Sequence, residues 1–173
     1  MKRLCQTITS SLAAGLAAIG VFISRLSLLP ANVSFLGSFG FFGGNLLAFF
    51  ASIIGFDLLV GGLYKGFVFT YLGFFSYYLL GKIARHHLKR QLVLLPTASF
   101  LFFLISNLGV WFYWYPQTWE GLLACYLAAV PFYKNTLLGD LVFGYSYLAI
   151  KALVAKKSLT ENLAQKLLTE ERL

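Results

Sequence analysis

Residues 81–90 read "GKIARHHLKR". Lys82, Arg85, Lys89 and Arg90 stand there with His86 and His87, and no acid accompanies them. Long apolar runs flank the stretch on both sides: Phe67 to Gly81 before it, Leu92 to Tyr113 after it. Such a loop is either an ordinary basic connection on a soluble surface or the cytosolic turn between two membrane helices. Composition decides. The chain has 173 residues, of which 59% are hydrophobic and 12% charged. A soluble domain carries about 25% charged residues. This chain cannot clothe its own surface with charge, so lipid must be its solvent.

Lys and Arg in short loops stay on the cytoplasmic side of a membrane. The apolar segments are Ser10–Leu29, Val33–Phe42, Leu46–Val60, Phe67–Gly81, Leu92–Tyr113, Trp119–Tyr133 and Thr136–Val154. Two layouts fit them. In one, Gly43, Gly44 and Asn45 form a tight turn, Val33–Phe42 and Leu46–Val60 cross separately, and Trp119–Tyr133 dips in and out on one side. In the other, residues 36–54 form one helix and Trp119–Tyr133 crosses fully. The first gathers Lys2, Arg3, Lys82, Arg85, Lys89, Arg90, Lys151, Lys156 and Lys157 inside and leaves Arg25, Lys65 and Lys134 outside. The second turns the basic loop outward. The expected fold is therefore an all-α membrane protein, a six-helix transmembrane bundle with both termini in the cytoplasm. A short extra helix precedes the last span. Residues 1–155 form the single transmembrane domain and 156–173 a cytoplasmic amphipathic tail. In that tail Ser158 and Glu161 form a capping-box pattern ahead of Leu159, Leu163 and Leu167.

Orientation puts "GVWFYWYPQTWEG", residues 109–121, at the outer boundary. It contains all three tryptophans, Trp111, Trp114 and Trp119. Trp and Tyr collect at membrane interfaces whatever the function, so the cluster is read either as an aromatic belt or as the wall of a pocket. Asn107, Trp111 and Trp114 are spaced i, i+4, i+7 and share a helix face. An amide beneath two indoles suits a planar ligand with hydrogen-bonding edges.

Other polar residues fall on the same side. Asp140 lies one turn into a membrane helix, where a carboxylate faces protein or a water-filled cavity. It is either a ligand contact or a structural partner of Arg25 or Lys134. Thr136, Asp140, Gly144, Tyr147 and Lys151 form one stripe. Arg25 either snorkels to the interface or holds an anionic ligand group, with Asn32 and Ser34 in the adjoining loop. Asn135 stands beside Thr136 where the last helix is expected to begin. Asp57 reads as a boundary residue. The candidate substrate-binding set is Arg25, Asn32, Asn107, Trp111, Trp114, Asn135 and Asp140.

Ala13, Ala14, Ala17 and Ala18, with Ser10, place small residues every fourth position along the first helix. Such a face admits close packing of another helix, within the chain or on a partner. The start "MKRLCQTITSSLAAGLAA" has the look of a secretory signal, but the apolar run continues to spanning length. Cys5 and Cys125 sit in separate segments and suggest no disulfide. Asn32-Val33-Ser34 matches a glycosylation sequon, relevant only in a eukaryotic secretory pathway. His86 and His87 are adjacent and point different ways on a helix, so no metal site is expected. No phosphate-binding loop, nucleophile elbow, zinc motif or paired-carboxylate motif occurs. No enzyme activity, cofactor or nucleic-acid partner is expected.

The stretches "LPANVSFLGSFGFFGG" and "SNLGVWFYWYPQTWEGLLACYLAAVPFYKNTLLGDLVFG", with the layout between them, resemble a bacterial family of small integral-membrane proteins over residues 12–155. That family is in turn similar to the substrate-binding (S) subunits of energy-coupling-factor transporters. The onward likeness rests on six helices, the alanine face of the first helix, and Pro131, Phe132, Gly139, Asp140 and Leu141. It implies a cytoplasmic-membrane protein that holds a vitamin- or cofactor-precursor-like solute near the outer surface. It also implies docking of the alanine face on a transmembrane coupling subunit driven by ATPases. The Phe-rich third and fourth helices depart from the Ala/Leu-rich pattern of S subunits, and no vitamin-specific motif is present. The alternative function is a structural scaffold of the cell envelope with no solute.

Overall fold

The computed structural model describes residues 15, 16, 18–20, 22, 23 and 32–170, with side chains described as far as residue 161. Helix α1 spans Leu36–Phe42 and α2 spans Leu46–Phe56, continuing into a π-helical turn at Asp57–Gly61. Helices α3 (Phe67–Ala84), α4 (Leu88–Trp114) and α5 (Trp119–Glu170) follow. Residues 15, 16, 18–20, 22 and 23 are also helical. No strand occurs among the described residues. Ala13, Ala14, Ala17 and Arg25 lie outside them; Ala18 is helical and half-buried.

Among the described residues, three helices are long and apolar enough to cross a membrane: α3, α4, and α5 over Trp119–Glu161. They mark the chain as a membrane protein. Leu79, Val93, Leu127 and Ile150 are among the many large apolar side chains on its exterior. Water would not tolerate so continuous an apolar surface, whereas lipid requires it.

The elements have two ends. At the basic end, α3 turns into α4 through residues 85–87. Gln91 closes this turn by donating its amide N–H to the Arg85 carbonyl at 3.0 Å. At the aromatic end, α4 turns into α5 through residues 115–118. Trp111 Nε1–H donates to the Pro116 carbonyl at 3.0 Å, and the Gly121 N–H donates to Thr118 Oγ1 at 3.2 Å. The long helices thus run antiparallel. Tyr126 donates its hydroxyl to the Leu104 carbonyl near the aromatic end, and Tyr145 donates to the Leu92 carbonyl near the basic end.

Residues 43–45 do separate α1 from α2. Asn45 caps α2, its side-chain oxygen accepting the Ala48 N–H at 3.0 Å. Gly44 has φ +67° and lies against the Arg85 guanidinium, so the tip of this hairpin reaches the basic end. A Cβ on Gly81 would overlap the Phe41 backbone, so only glycine lets α1 approach α3 there. Helix α1 has 7 residues. It rises about 10 Å, a third of a hydrocarbon core, so it cannot cross by itself.

Two expectations about the C-terminal half are corrected. Trp119–Tyr133 is not a short dipping helix, and no new helix begins at Asn135 or Thr136. Helix α5 runs unbroken for 52 residues with Pro131 inside it. A proline removes one helical N–H, which membrane helices tolerate. Thr136 Oγ1 returns its hydrogen to the Phe132 carbonyl at 3.1 Å, as a mid-helix threonine does. The tail beyond residue 155 continues the same helix, so Ser158 starts nothing and its capping box is unused. There Lys157 and Glu161 lie one turn apart at 3.8 Å.

The core joins four helices through Leu36, Phe41, Phe49, Ile53, Phe74, Tyr77, Leu95 and Ala98. Two buried carboxylates enter it, and tyrosines of α3 partner both. Tyr71 donates its hydroxyl to Asp57 Oδ2 at 2.9 Å. Tyr77 donates to Asp140 Oδ2. Asp57 is buried within the protein. Ser38 adds a bond from α1 to the Asp140 carbonyl at 3.2 Å.

Candidate functional site

A cavity of about 440 Å³ opens in the aromatic half, between α3, α4 and α5. One face of α4 forms a wall with Phe102, Phe103, Ser106, Asn107 and Val110. Their spacing of one, three and four residues keeps them on adjacent rows. Opposite stand Ala129, Phe132, Tyr133 and Thr136 of α5, again at intervals of three and four. Thr70 and Phe74 of α3 supply the third side, and Asn32 and Tyr64 lie in the connecting loops. Asn32 has φ +65°, a left-handed conformation that asparagine tolerates better than most residues.

Three polar residues of this cavity share a property. Ser106 Oγ donates to the Phe102 carbonyl at 2.7 Å, and Thr136 Oγ1 donates to the Phe132 carbonyl. Asn107 Nδ2 donates to the Phe103 carbonyl at 2.8 Å. Because that partner is an acceptor, the Asn107 atom facing it must be the nitrogen. The Ser106 and Thr136 hydroxyl hydrogens and one Asn107 amide hydrogen are thus engaged by the helix backbone, while their oxygens keep lone pairs. Tyr64 and Thr70 hydrogen-bond to each other. Among the described residues no charged side chain lines the cavity. The arrangement suits a ligand with a flat apolar body and its own N–H or O–H donors. Phe103 and Tyr133 pack on each other, their ring centroids 4.7 Å apart.

The sequence-derived set divides on this structure. Asn32 and Asn107 line the cavity. Trp111 does not: it lies roughly a third of a turn round α4 from the centre of the cavity-lining face, and its indole N–H is held by Pro116. Trp114 sits beyond the mouth, its ring 6.2 Å from Tyr64 and half exposed. Asn135 is half-buried and outside the lining. Asp140 is 2% exposed and bonded to Tyr77. It does not line the cavity, and among the described residues its hydrogen-bonding partner is the Tyr77 phenol rather than Lys134. Arg25 lies outside the described residues.

Sequence reasoning missed Ser106, Thr70, Tyr64, Tyr133, Phe102 and Phe103. A serine next to Asn107 was a readable signal, since both sit four residues after a phenylalanine. The aromatic members carried none, being lost among 18 Phe and 10 Tyr. The stripe on α5 fares better. Thr136 lines the cavity, Asp140 and Gly144 are buried, and Tyr147 and Lys151 line a second cavity at the basic end.

The model of a family of unknown function, DUF6580, matches residues 6–164, and the chain belongs to that family. No curated protein and no solved structure matches it.

Proposed function

We propose that this member of a family of unknown function is a non-catalytic membrane subunit that binds a small, flat solute for uptake. The cavity between α3, α4 and α5 carries the proposal. Its volume of about 440 Å³ falls within the range of about 300–1,000 Å³ typical of small-molecule pockets. Aromatic walls would supply contact area. The oxygens of Ser106, Asn107 and Thr136 would orient the solute's donors.

Around this site the proposed topology keeps both termini and the 81–90 loop in the cytoplasm of a bacterium. The α1–α2 hairpin supports it by bringing its tip to the basic end. It enters and returns on one side, so the sidedness of α3, α4 and α5 does not depend on whether α1 crosses fully. The aromatic end then faces outward, the position from which a solute would be captured. By the resemblance to S subunits, a separate coupling subunit with ATPases would energise release.

The test begins with protein purified from its own membrane in mild detergent and mass spectrometry of the small molecules that come with it. A true ligand at 100 times its dissociation constant stabilises by about 2.7 kcal/mol. That shift should fall sharply in Asn107→Leu and Thr136→Val and persist in Trp111→Phe. If both cavity variants keep the full shift, the site is elsewhere. If nothing co-purifies and no coupling subunit is captured, the envelope-scaffold reading replaces this one.

A further inference from the structure

The second cavity, about 150 Å³, lies at the basic end. Lys82 and Arg85 reach it from the end of α3, and Lys151 reaches it from α5. Tyr78, Tyr147 and Gln91 complete its polar lining. Two features separate it from an ordinary cytosolic scatter of charge. The cations come from elements about seventy positions apart in sequence, and packing turns them toward one concavity. Among the described residues none of them has an acidic partner, and the one ion pair joins Lys157 and Glu161, outside the cavity. Lys89 and Arg90, equally basic and close in sequence, do not line it.

Three cations around one small space repel one another, and a shared anion relieves that repulsion. The geometry also limits the anion. A space of 150 Å³ is below the range of about 300–1,000 Å³ that holds a whole cofactor, so it would admit a head rather than a complete molecule. A guanidinium fork, ammonium groups and tyrosine hydroxyls match tetrahedral phosphate oxygens. Lys82 stands 5.1 Å from the centre of the Tyr78 ring, which steadies its long side chain. Gln91 pins the backbone of Arg85 from below at 3.0 Å.

We propose that the cavity bounded by Lys82, Arg85 and Lys151 binds a phosphate group. A basic pocket between membrane helices at the cytoplasmic side is where an anionic lipid headgroup would sit, and a free phosphorylated solute presents the same chemistry. The proposal is independent of the solute assigned to the aromatic-end cavity.

The full-length protein in detergent is tested with two probes. Inorganic phosphate is titrated against chloride at matched ionic strength. Phosphatidylglycerol is titrated against phosphatidylcholine in mixed micelles. Thermal midpoint and native mass spectrometry of retained adducts are the readouts. Phosphate or phosphatidylglycerol should raise the midpoint and be retained as a single adduct. A response to phosphate assigns a free solute; a response to phosphatidylglycerol alone assigns a headgroup. Arg85→Gln and Lys151→Gln should each weaken binding about tenfold, the loss of one charge-assisted bond. Lys89→Gln and Arg90→Gln remove the same charge outside the cavity and should leave binding unchanged. Arg85→Lys, which keeps the charge and loses the fork, should fall between and serves where Arg85→Gln does not fold. The proposal is overturned if neither probe affects the wild type, or if the Lys89 and Arg90 variants lose as much as the Arg85 and Lys151 variants.

Discussion

Tyr77 of α3 donates its phenolic hydrogen to the carboxylate of Asp140 on α5, and both side chains are shut off from the exterior. The two residues are 63 positions apart in sequence. Their bond lies between the two cavities, one ending at Thr136 and the other beginning at Tyr147. Gly37 of α1 completes the packing, since its bare backbone rests on both partners. Ser99 of α4, fully buried, lies beside the pair. The centre of the protein is thus a polar knot to which four helices contribute.

Breaking the knot has a readable cost. Tyr77→Phe removes the donor and leaves a buried carboxylate with one partner fewer. The expected loss of stability is about 1–3 kcal/mol. Asp140→Asn keeps an oxygen that can accept from Tyr77, so its loss should be smaller. Unfolding in mixed micelles measures both. Equal stability of Tyr77→Phe and the wild type would mean that the bond contributes nothing.

Gly37 and Gly55 offer a matched pair of glycine replacements. A Cβ on Gly37 would fall on the Asp140 carboxylate and the Tyr77 ring, whereas a Cβ on Gly55 meets nothing within 4 Å. Gly37→Ala should destabilise by about 1–3 kcal/mol through overpacking. Gly55→Ala should stabilise by about 0.5–1 kcal/mol, as alanine does in a helix interior. The same unfolding measurement decides, and a reversed order would contradict the packing of α1 against α5.

The two ends of the bundle can be told apart chemically. In a Cys5→Ser, Cys125→Ala background, His86→Cys should resist an impermeant thiol reagent on intact cells. Gln117→Cys, in the exposed turn at the aromatic end, should react. Labelling of the first and not the second would invert the topology and place the aromatic-end cavity inside the cell.

Trp111, Trp114 and Trp119 all flank the turn at residues 115–118, and Trp114 and Trp119 are well exposed. Interfacial tryptophans sit at headgroup depth. In reconstituted bilayers, lipids brominated near the headgroup should quench their fluorescence more strongly than lipids brominated near the chain ends. Stronger quenching from the deep label would show that α4 and α5 are displaced along the membrane normal.

The sequence alone determined the solvent, since 12% charged residues cannot cover a surface in water. It also determined the helical class, the turn at residues 43–45 and the stripe from Thr136 to Lys151, because composition, glycine and helical periodicity are local properties. Only the tertiary structure decided that α5 passes through Pro131, where neighbouring packing outweighs one missing hydrogen bond. Only it chose Tyr77 among the tyrosines as the partner of Asp140, turned Trp111 away from the cavity, and brought Lys151 to Arg85. Periodicity states which residues of a helix share a face. Which neighbour that face meets depends on how the helices rotate and slide against one another, and side-chain volumes from distant parts of the chain settle that.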